Sequence, residues 1–364
     1  MPLAIPTTPH DITPDWLTAV LRRSATITQA RVAAATVVRI GVDEGFTGGG
    51  LYRIVLTYAP PDPAAPSSLV AKLSPLDPEM NAIMRVSNGR EVGFYRSVQD
   101  DRDLPVPRCY HADVNADTGA SVLLLQDLSH FRATAFIKGC GPADAKRVIE
   151  ALAVLHAHWW NKPALAPLSG ATIVQEFPFA KHWADYPAKV RSLLPDIEIP
   201  PSFLKLGDYI ARNEAAIFEP LMERAPLTRL HRDVQANNVM FGPVKGKVCA
   251  KIFDWQLSGK GRGVYDVAYF LISSVEPAQR RNMERALVAH YHDQLLRLGV
   301  ADYSLADCWS DYVQSVLGKI LITVVATVLL DNSSPHKTAW RRADLTRLLA
   351  FCSDHHITAQ TFSQ

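Results

Sequence analysis

The first third of the chain alternates apolar and polar residues in the way that is typical of β-strands. Residues 51–58 alternate most regularly, and residues 37–40 and 69–73 are short segments rich in apolar, mainly branched side chains. A glycine-rich segment, residues 45–50, separates the first two of these segments. The pattern therefore predicts a strand, a glycine turn and a second strand, with a third strand after a proline-rich loop.

Helical periodicity appears at three places. Residues 13–23 combine an N-capping threonine, a first-turn proline and an amphipathic pattern. A shorter helical stretch surrounds residues 90–95, and from about Asp144 onwards apolar residues recur at spacings of three and four. The chain therefore predicts an α+β protein, with a β-rich part over residues 1–127 and a mostly helical part over residues 128–364.

The charge balance is that of an ordinary globular protein. The 364 residues include 38 Lys and Arg against 36 Asp and Glu, and 48 % of them are hydrophobic. Binding to a nucleic-acid backbone needs a concentrated basic surface. We therefore expect no nucleic acid partner.

Cysteine usage and the apolar segments bear on the compartment. The five cysteines form no C-x-x-C pair, so neither a disulfide framework nor a zinc site is predicted, and a reducing, cytoplasmic setting is favoured. The first 24 residues lack the pattern of a secretory signal. The longest apolar stretch, residues 316–330, is too short to span a bilayer comfortably and contains Lys319. We expect a buried core helix there and no membrane span, and the oligomeric state stays open.

The segment 230–241 carries the clearest chemical signal. Asp233 and Asn238 lie five positions apart in a polar loop that apolar residues flank on both sides, and Asp254 follows twenty-one positions after Asp233 at the end of an apolar segment. Phosphoryl transfer needs a carboxylate to orient the attacking hydroxyl, together with oxygen ligands for a metal on the phosphates. The three residues therefore indicate a combined base and metal site.

The β-rich part contains a candidate for holding a triphosphate. Gly48, Gly49 and Gly50 would let backbone amides approach phosphate oxygens closely, and Lys72 on the next strand would add a positive charge. Glu91, nineteen positions later, opens the predicted helical stretch and could pair with that lysine. The order and the residue types both fit a kinase.

These motifs, in this order, resemble the aminoglycoside phosphotransferase and choline kinase superfamily of kinase-like enzymes. The likeness extends from about residue 13 to beyond residue 312, and it is nearest to the branch of ecdysteroid-kinase-like proteins. The segments that carry it are 91–96 (EVGFYR), 124–128 (LLQDL), 155–160 (LHAHWW), 231–238 (HRDVQANN), 254–256 (DWQ) and 261–268 (GRGVYDVA). The resemblance implies a bilobed, protein-kinase-like fold with a small β-rich N-lobe and a larger helical C-lobe.

The resemblance also implies roles for the motif residues. Asp233 would be the catalytic base, with Asn238 beside it, and Asn238 and Asp254 would be the Mg²⁺ ligands. Lys72 and Glu91 would form a clamp on the phosphates of ATP. The expected reaction is transfer of the γ-phosphate to a hydroxyl group of a small molecule.

Further positions follow from the same resemblance. The backbone of residues 126–128, with Gln126 and Leu128 as its ends, would be the hinge that meets adenine. His231 and Asp266 would support the catalytic loop from inside. Arg232 departs from the family pattern, which more often has glycine there, and makes the loop similar to the His-Arg-Asp motif of protein kinases.

Two other function classes remain possible at this stage. A protein kinase would need a long activation segment and an Ala-Pro-Glu-like anchor, yet an apolar helical pattern resumes near Val264 and no such anchor follows. A non-catalytic, nucleotide-binding scaffold would be favoured by loss of one of the four key residue types at positions 72, 233, 238 and 254, and all four are present.

The acceptor is less well defined by the sequence. Segment 162–230 contains eight basic and eight acidic residues, which gives no sign of the acidic surface that a polycation would favour. We therefore expect a neutral or moderately apolar hydroxylated acceptor. His156, His158 and the aromatic residues Trp159, Trp160, Trp183 and Tyr186 are interpreted as core residues, and residues 259–263 as a short connector.

Overall fold

The computed structural model describes residues 3–41, 49–168, 175–330 and 334–362, and the chain divides into two compact units. The first unit contains Met1–Phe131 together with the short segment Phe253–Leu257, and the second contains Arg132–Ile252 and Ser258–Gln364. The first unit is built on a β-sheet and the second is mostly helical, so the predicted α+β class is confirmed.

The first unit contains a five-stranded antiparallel sheet with the strand order β1-β2-β3-β5-β4. The strands are β1 (Arg31–Ile40), β2 (Gly50–Ala59), β3 (Ser68–Leu73), β4 (Cys109–Val114) and β5 (Ser121–Gln126). The predicted segments 37–40, 51–58 and 69–73 fall within β1, β2 and β3. β4 was not predicted. Buried and partly exposed residues alternate along β3, which specifies the register of the strand. In this register Lys72 lies opposite Leu51 of β2 and Leu123 of β5.

Two helices pack on this sheet. Helix α1 (Pro14–Arg23) lies against β1, and the Thr13 hydroxyl accepts a hydrogen bond from the Trp16 backbone N–H at 3.2 Å, which confirms the predicted N-cap. Helix α2 (Pro78–Ser97) packs against β4 and β5, and its N-cap is Asp77, whose carboxylate accepts from the Met80 N–H at 2.7 Å. Helix α2 therefore begins well before the predicted stretch 90–95.

The described residues of the second unit form helices α3 to α11 and two small antiparallel sheets, one pairing β7 with β10 and one of order β6-β8-β9. The strands are β6 (Arg132–Ala133), β7 (Thr228–Leu230), β8 (Val239–Val244), β9 (Lys247–Ile252) and β10 (Gly259–Gly261). The helices are α3 (Pro142–Trp159), α4 (Phe179–Trp183), α5 (Tyr186–Leu193), α6 (Pro201–Met222), α7 (Val264–Ser274), α8 (Pro277–Arg297), α9 (Leu305–Gln314), α10 (Val316–Leu329) and α11 (Pro335–Asp354). The segment 259–263, interpreted from the sequence as a connector, thus contains the short strand β10.

Helix α7 lies at the centre of the second unit. Each of its eleven residues is buried, and it packs against α8, α9, α10 and α11. Ten of the fourteen residues in α10 are likewise buried, in agreement with the core helix expected near residue 316. Among the described residues one helical stretch, Leu305–Leu329, is apolar and long enough to cross a bilayer by composition and length, and 67 % of its most apolar window is buried within the protein.

Candidate active site

Lys72 of the first unit is held between two carboxylates. Its Nζ lies 2.8 Å from Oε2 of Glu91 and 2.9 Å from Oδ1 of Asp254. Glu91 is buried, whereas the side chains of Lys72 and Asp254 are 22 % and 38 % exposed. The predicted pairing of Lys72 with Glu91 is confirmed, and Asp254 joins the same ion-pair group.

Burial and charge act in opposite directions in this group. Burial opposes the charge on Lys72, but the carboxylates of Asp254 and Glu91 outweigh it and raise the pKa of Lys72 above its ordinary value. Burial also raises the pKa of Glu91, against the opposing effects of the Lys72 ammonium and of a hydrogen bond from the Trp255 backbone N–H. Lys72 is therefore a permanent cation at neutral pH, with Asp254 as its more exposed partner.

Helix α2 positions this group from one side of the sheet. Glu91 lies in the second half of α2, so the expectation that it opens a helix was wrong. The helix begins at Pro78 with Asp77 as its N-cap, because proline is well suited to the first turn of a helix. One turn after Glu91, Phe94 stacks on Trp255 with ring centroids 3.6 Å apart and an interplanar angle of 6°. The residue that follows Asp254 is thus packed on the helix that carries Glu91.

The backbone at Asp254 adopts an uncommon conformation. Its φ is +68°, in the left-handed region that residues other than glycine rarely occupy. Such conformations concentrate at functional sites, where the surrounding structure has to hold them in place. Here the ion pair with Lys72 and the buried Trp255 ring fix the residue on both sides.

The glycine segment lies next to the lysine strand. A Cβ at Gly49 would come within 2.9 Å of the Leu73 carbonyl oxygen, so only glycine permits this approach of the chain to β3. Gly49, Lys72, Glu91 and Gln256 line one cleft of the first unit. Gly50 begins β2, and Gly48 lies outside the described residues.

The predicted hinge follows β5. The backbone N–H of Gln126 donates to the Arg108 carbonyl at 2.8 Å, and the Leu128 carbonyl accepts from the Phe131 N–H at 2.8 Å. Between them the Asp127 carboxylate accepts from the Ser68 hydroxyl at 2.8 Å. These contacts give the segment a fixed path at the end of the sheet, and its adenine-binding role stays a prediction.

In the second unit, Asp266 near the start of α7 holds residues 231–238, the loop predicted to be catalytic. Its two carboxylate oxygens accept from the backbone N–H groups of His231 at 2.7 Å and of Arg232 at 2.8 Å. The His231 ring in turn accepts from the Asp233 N–H at 3.2 Å. This geometry agrees with the internal supporting role expected for His231 and Asp266.

Asp233 and Asn238 are brought into direct contact in this loop. The Asn238 amide nitrogen donates to the Asp233 carbonyl at 2.9 Å and to Asp233 Oδ2 at 3.2 Å. Gln235 donates to the same Oδ2 at 3.3 Å, and the Tyr269 hydroxyl donates to Oδ1 at 2.8 Å. Lys72, Glu91 and Asp254 are thus grouped within the first unit, and Asp233 and Asn238 within the second.

Arg232 is buried and serves the interior of the second unit. Its φ is +70°, and its guanidinium donates to the Lys260 carbonyl at 2.7 Å and to the Met222 sulfur at 3.7 Å. A Cβ at Gly259 would lie 2.2 Å from the guanidinium carbon, so a larger residue there would force the Arg232 side chain to move. The arginine of this His-Arg-Asp sequence is therefore a buried residue that holds the interior of the second unit together.

Several residues that the sequence suggested as core are buried. His156 contacts the Tyr291 hydroxyl at 2.8 Å and Asp266 at 3.3 Å, and Trp159, Trp183 and Tyr186 are buried. Sequence reasoning missed Tyr269 and the stacking role of Trp255. A tyrosine three positions after Asp266, in an otherwise apolar helix, was the available signal for Tyr269.

The sequence profile of the phosphotransferase enzyme family matches residues 47–303, which include Lys72, the loop of residues 231–238 and Asp254. The chain belongs to this family. Comparison with curated proteins gave no match. The membership makes the protein a phosphotransferase, and the ecdysteroid-kinase-like branch stays a prediction.

Solved structures show the same fold at low sequence identity. A putative aminoglycoside phosphotransferase from Ralstonia eutropha JMP134 is 16 % identical with a TM-score of 0.52, covering 96 % of this chain and 98 % of that one. A choline kinase from Cryptosporidium parvum Iowa II is 10 % identical with a TM-score of 0.54, covering 93 % and 94 %. A microcompartment-associated aminopropanol kinase is 15 % identical with a TM-score of 0.53, covering 93 % and 96 %.

Proposed function

We propose that this phosphotransferase is an ATP- and Mg²⁺-dependent kinase that transfers the γ-phosphoryl group to a hydroxyl of a small molecule. The observation that carries the proposal is the position of Lys72 Nζ, 2.8 Å from Glu91 and 2.9 Å from Asp254. A lysine paired with a buried glutamate, beside an aspartate that can bind a metal, is the arrangement that protein kinases use for phosphoryl transfer. Gly49 and Gly50, with Gly48 before them, would complete the contacts to the phosphates.

Asp233 is the proposed base. Its carboxylate would accept the proton of the acceptor hydroxyl while that oxygen forms a bond to the γ-phosphorus and the bond to the ADP leaving oxygen breaks. Hydrogen bonds at both carboxylate oxygens hold the side chain in one orientation. Asn238, which contributes one of them, belongs to the same catalytic group.

The residues present fit a magnesium ion bound together with a nucleotide. Asp254 offers a partly exposed carboxylate, and Asn238 directs its amide nitrogen to Asp233, so its carbonyl oxygen is the atom suited to the metal. Within the described part of the chain no three His, Cys, Asp or Glu side chains surround a common position, so phosphate oxygens and water would supply the remaining ligands. Mg²⁺ would supply neutralisation of the charge on the phosphate oxygens.

The proposal also covers where the adenine base binds and which class of compound accepts the phosphate. The backbone between Gln126 and Leu128 would meet adenine, and the acceptor would be a neutral or moderately apolar hydroxylated compound. The equal numbers of acidic and basic residues in segment 162–230 support this acceptor class over a polycation. The scattered cysteines and the near-neutral charge balance support a cytoplasmic protein without a nucleic acid partner.

A screen of acceptors tests the proposal. ADP release is measured with and without Mg²⁺ over alcohols, sterols, amino alcohols including choline and aminopropanol, and aminoglycosides. We expect at least one compound to raise ADP release by the wild type about tenfold or more over the rate without acceptor, and the Asp233→Asn variant to lose that response. ATP binding without stimulation by any acceptor would instead favour the non-catalytic scaffold.

A further inference from the structure

Tyr269 reaches the proposed base from the interior of the second unit. It lies on α7, is 1 % exposed, and its hydroxyl donates a hydrogen bond to Asp233 Oδ1 at 2.8 Å. Asp233 Oδ2 accepts from Asn238 at 3.2 Å and from Gln235 at 3.3 Å. The carboxylate is therefore held at one oxygen by residues of its own loop and at the other by a residue of the core.

We propose that Tyr269 is a positioning residue for the phosphoryl transfer: its hydroxyl fixes the plane of the Asp233 carboxylate so that this carboxylate meets the acceptor hydroxyl in one orientation. The inference rests on the proposed function in so far as Asp233 is the base. A carboxylate oxygen has two acceptor lone pairs, so one oxygen can hold the tyrosine and still accept a further proton. The terminal torsion of an aspartate side chain has a broad range of allowed angles. Rotation about it would turn the Asp233 oxygens away from the acceptor hydroxyl.

The Tyr269 ring is itself held by a buried ion pair. Lys319 Nζ lies 4.6 Å from the ring centroid and 2.5 Å from Asp344 Oδ1, and the Thr323 hydroxyl donates to Asp344 Oδ2 at 2.8 Å. Lys319, Thr323 and Asp344 are all buried. A cation over an aromatic face is attractive, and a buried charge pair resists displacement because its separation would leave an unpaired charge. The Tyr269 ring is thus held through Lys319 of α10, which Asp344 of α11 pairs.

Three residues of helix α7 make four hydrogen bonds with the proposed catalytic loop. Asp266 accepts from the N–H groups at its start, Tyr269 donates to Asp233, and the Ser274 hydroxyl accepts from the Ala236 N–H at 2.9 Å. The first and last of these contacts hold backbone, whereas Tyr269 holds the carboxylate. Removal of the Tyr269 hydroxyl should therefore alter the base and leave the path of the loop in place.

The same helix provides a matched control. Tyr265 lies one turn before Tyr269 and is as deeply buried, and within the described part of the chain its hydroxyl has no hydrogen-bond partner. The Tyr265→Phe substitution removes the same atom from the same helix without touching Asp233. Replacing an unpartnered buried hydroxyl in this way costs little or stabilises the protein.

The experiment compares Tyr269→Phe, Tyr265→Phe and wild type, with the best acceptor from the screen. We expect Tyr269→Phe to lower kcat about 10- to 100-fold, the scale of one hydrogen bond to a charged group, while the KM for MgATP stays within about twofold. Tyr265→Phe should retain the wild-type kcat. An unchanged kcat for Tyr269→Phe, or an equal loss in both variants, would overturn the proposal.

A double-mutant cycle separates positioning from a general structural effect. In the Asp233→Asn background, Tyr269→Phe should lower the residual rate by less than about twofold, because the carboxylate that it positions is gone. An undiminished loss in that background would show that Tyr269 acts elsewhere and would overturn the proposal.

Crystal structures of the variants give a readout that does not depend on activity. In Tyr269→Phe the Asp233 carboxylate should rotate or occupy more than one rotamer, with the backbone of residues 231–238 unchanged, and in Tyr265→Phe it should stay as in the wild type. A single unchanged rotamer in Tyr269→Phe would overturn the positioning role. A wild type that transfers phosphate to no acceptor would instead contradict the proposed function, and the rotamer of Asp233 would still decide the structural claim.

Discussion

The rings of Phe94 and Trp255 stack at a centroid distance of 3.6 Å and an angle of 6°. Phe94 lies one turn after Glu91 on α2, and Trp255 follows Asp254 directly, so the stack and the Lys72 ion pair connect the same two segments. Asp254 is thereby held through its side chain and through its neighbour, in a backbone conformation with a φ of +68°. Such double support favours one fixed position for the carboxylate to which we assign the metal.

The first prediction concerns Lys72. Lys72→Met removes the cation that we assign to the phosphates, and we expect kcat to fall about 10²- to 10³-fold, the scale for loss of one preorganised electrostatic contact. Arg39→Met removes an exposed cation from the same sheet and should leave turnover unchanged. Steady-state kinetics of the two variants measure kcat. Full activity of Lys72→Met would contradict the assignment of Lys72 to the phosphates of ATP.

The second prediction concerns the metal. Asp254→Asn should weaken nucleotide binding in the presence of Mg²⁺ and change metal-free nucleotide binding much less, because a neutral amide is a poorer ligand for a hard cation. Calorimetric titrations with ATP, with and without Mg²⁺, measure the two affinities. Glu79→Gln, which neutralises an exposed carboxylate on α2, serves as the control. Identical Mg²⁺ dependence in Asp254→Asn and wild type would rule out the assignment.

The third prediction concerns the buried arginine of the catalytic loop. Gly259→Ala would place a Cβ 2.2 Å from the Arg232 guanidinium carbon, and we expect a loss of about 1–3 kcal/mol in the free energy of unfolding. Gly89→Ala, within helix α2, where no atom lies within 4 Å of the added Cβ, should not destabilise the protein. Denaturant unfolding measures both.

A double variant tests the cause of that loss. Arg232→Gly removes the guanidinium and relaxes the positive φ at that position, so Gly259→Ala should be less destabilising in the Arg232→Gly chain than in the wild type. Strictly additive losses would show that the contact between the two residues is not responsible.

The fourth prediction concerns pH and the hinge. Burial raises the pKa of the Asp127 carboxyl, but hydrogen bonds from Ser68 and Ser129 and the charge of Arg53 outweigh it, so the pKa in the folded state is lowered. The ionised form therefore adds stability above the unfolded pKa of about 4, and this stability is lost as the pH falls through the folded value. Asp127→Asn should destabilise the protein at pH 7 by about 1 kcal/mol, and the difference should shrink in acid. A difference that is constant with pH, measured by urea unfolding, would contradict this.

Local patterns in the sequence identified most of the first sheet and the chemistry of the site. Alternation of apolar and polar residues predicted β2, short apolar segments predicted β1 and β3, and the capping signal at Thr13 predicted α1. Lys72, Glu91, Asp233, Asn238 and Asp254 stood out because phosphoryl transfer needs these residue types in this order. Their grouping within each unit depends on tertiary packing, which spacing along the chain does not specify.

The elements that were missed lack a local signal. β4 is short and its pairing with β5 shifts register between Cys109 and His111, so its pattern is irregular. The start of α2 at Asp77 was hidden because its first half has no single apolar face, with Ile83 and Val86 exposed. Tyr269 lies in a helix that is buried on all sides, where a tyrosine looks like packing until its partner Asp233 is known.

Transfer of label from [γ-³²P]ATP to the acceptor tests the central claim most directly. With Mg²⁺ present, the wild type should label a hydroxylated small molecule as a phosphomonoester, and Asp233→Asn should do so about 10²- to 10⁴-fold more slowly while it binds MgATP as the wild type does. Labelling at the wild-type rate by Asp233→Asn, or no labelled acceptor from the wild type under conditions where MgATP binds, would contradict the account.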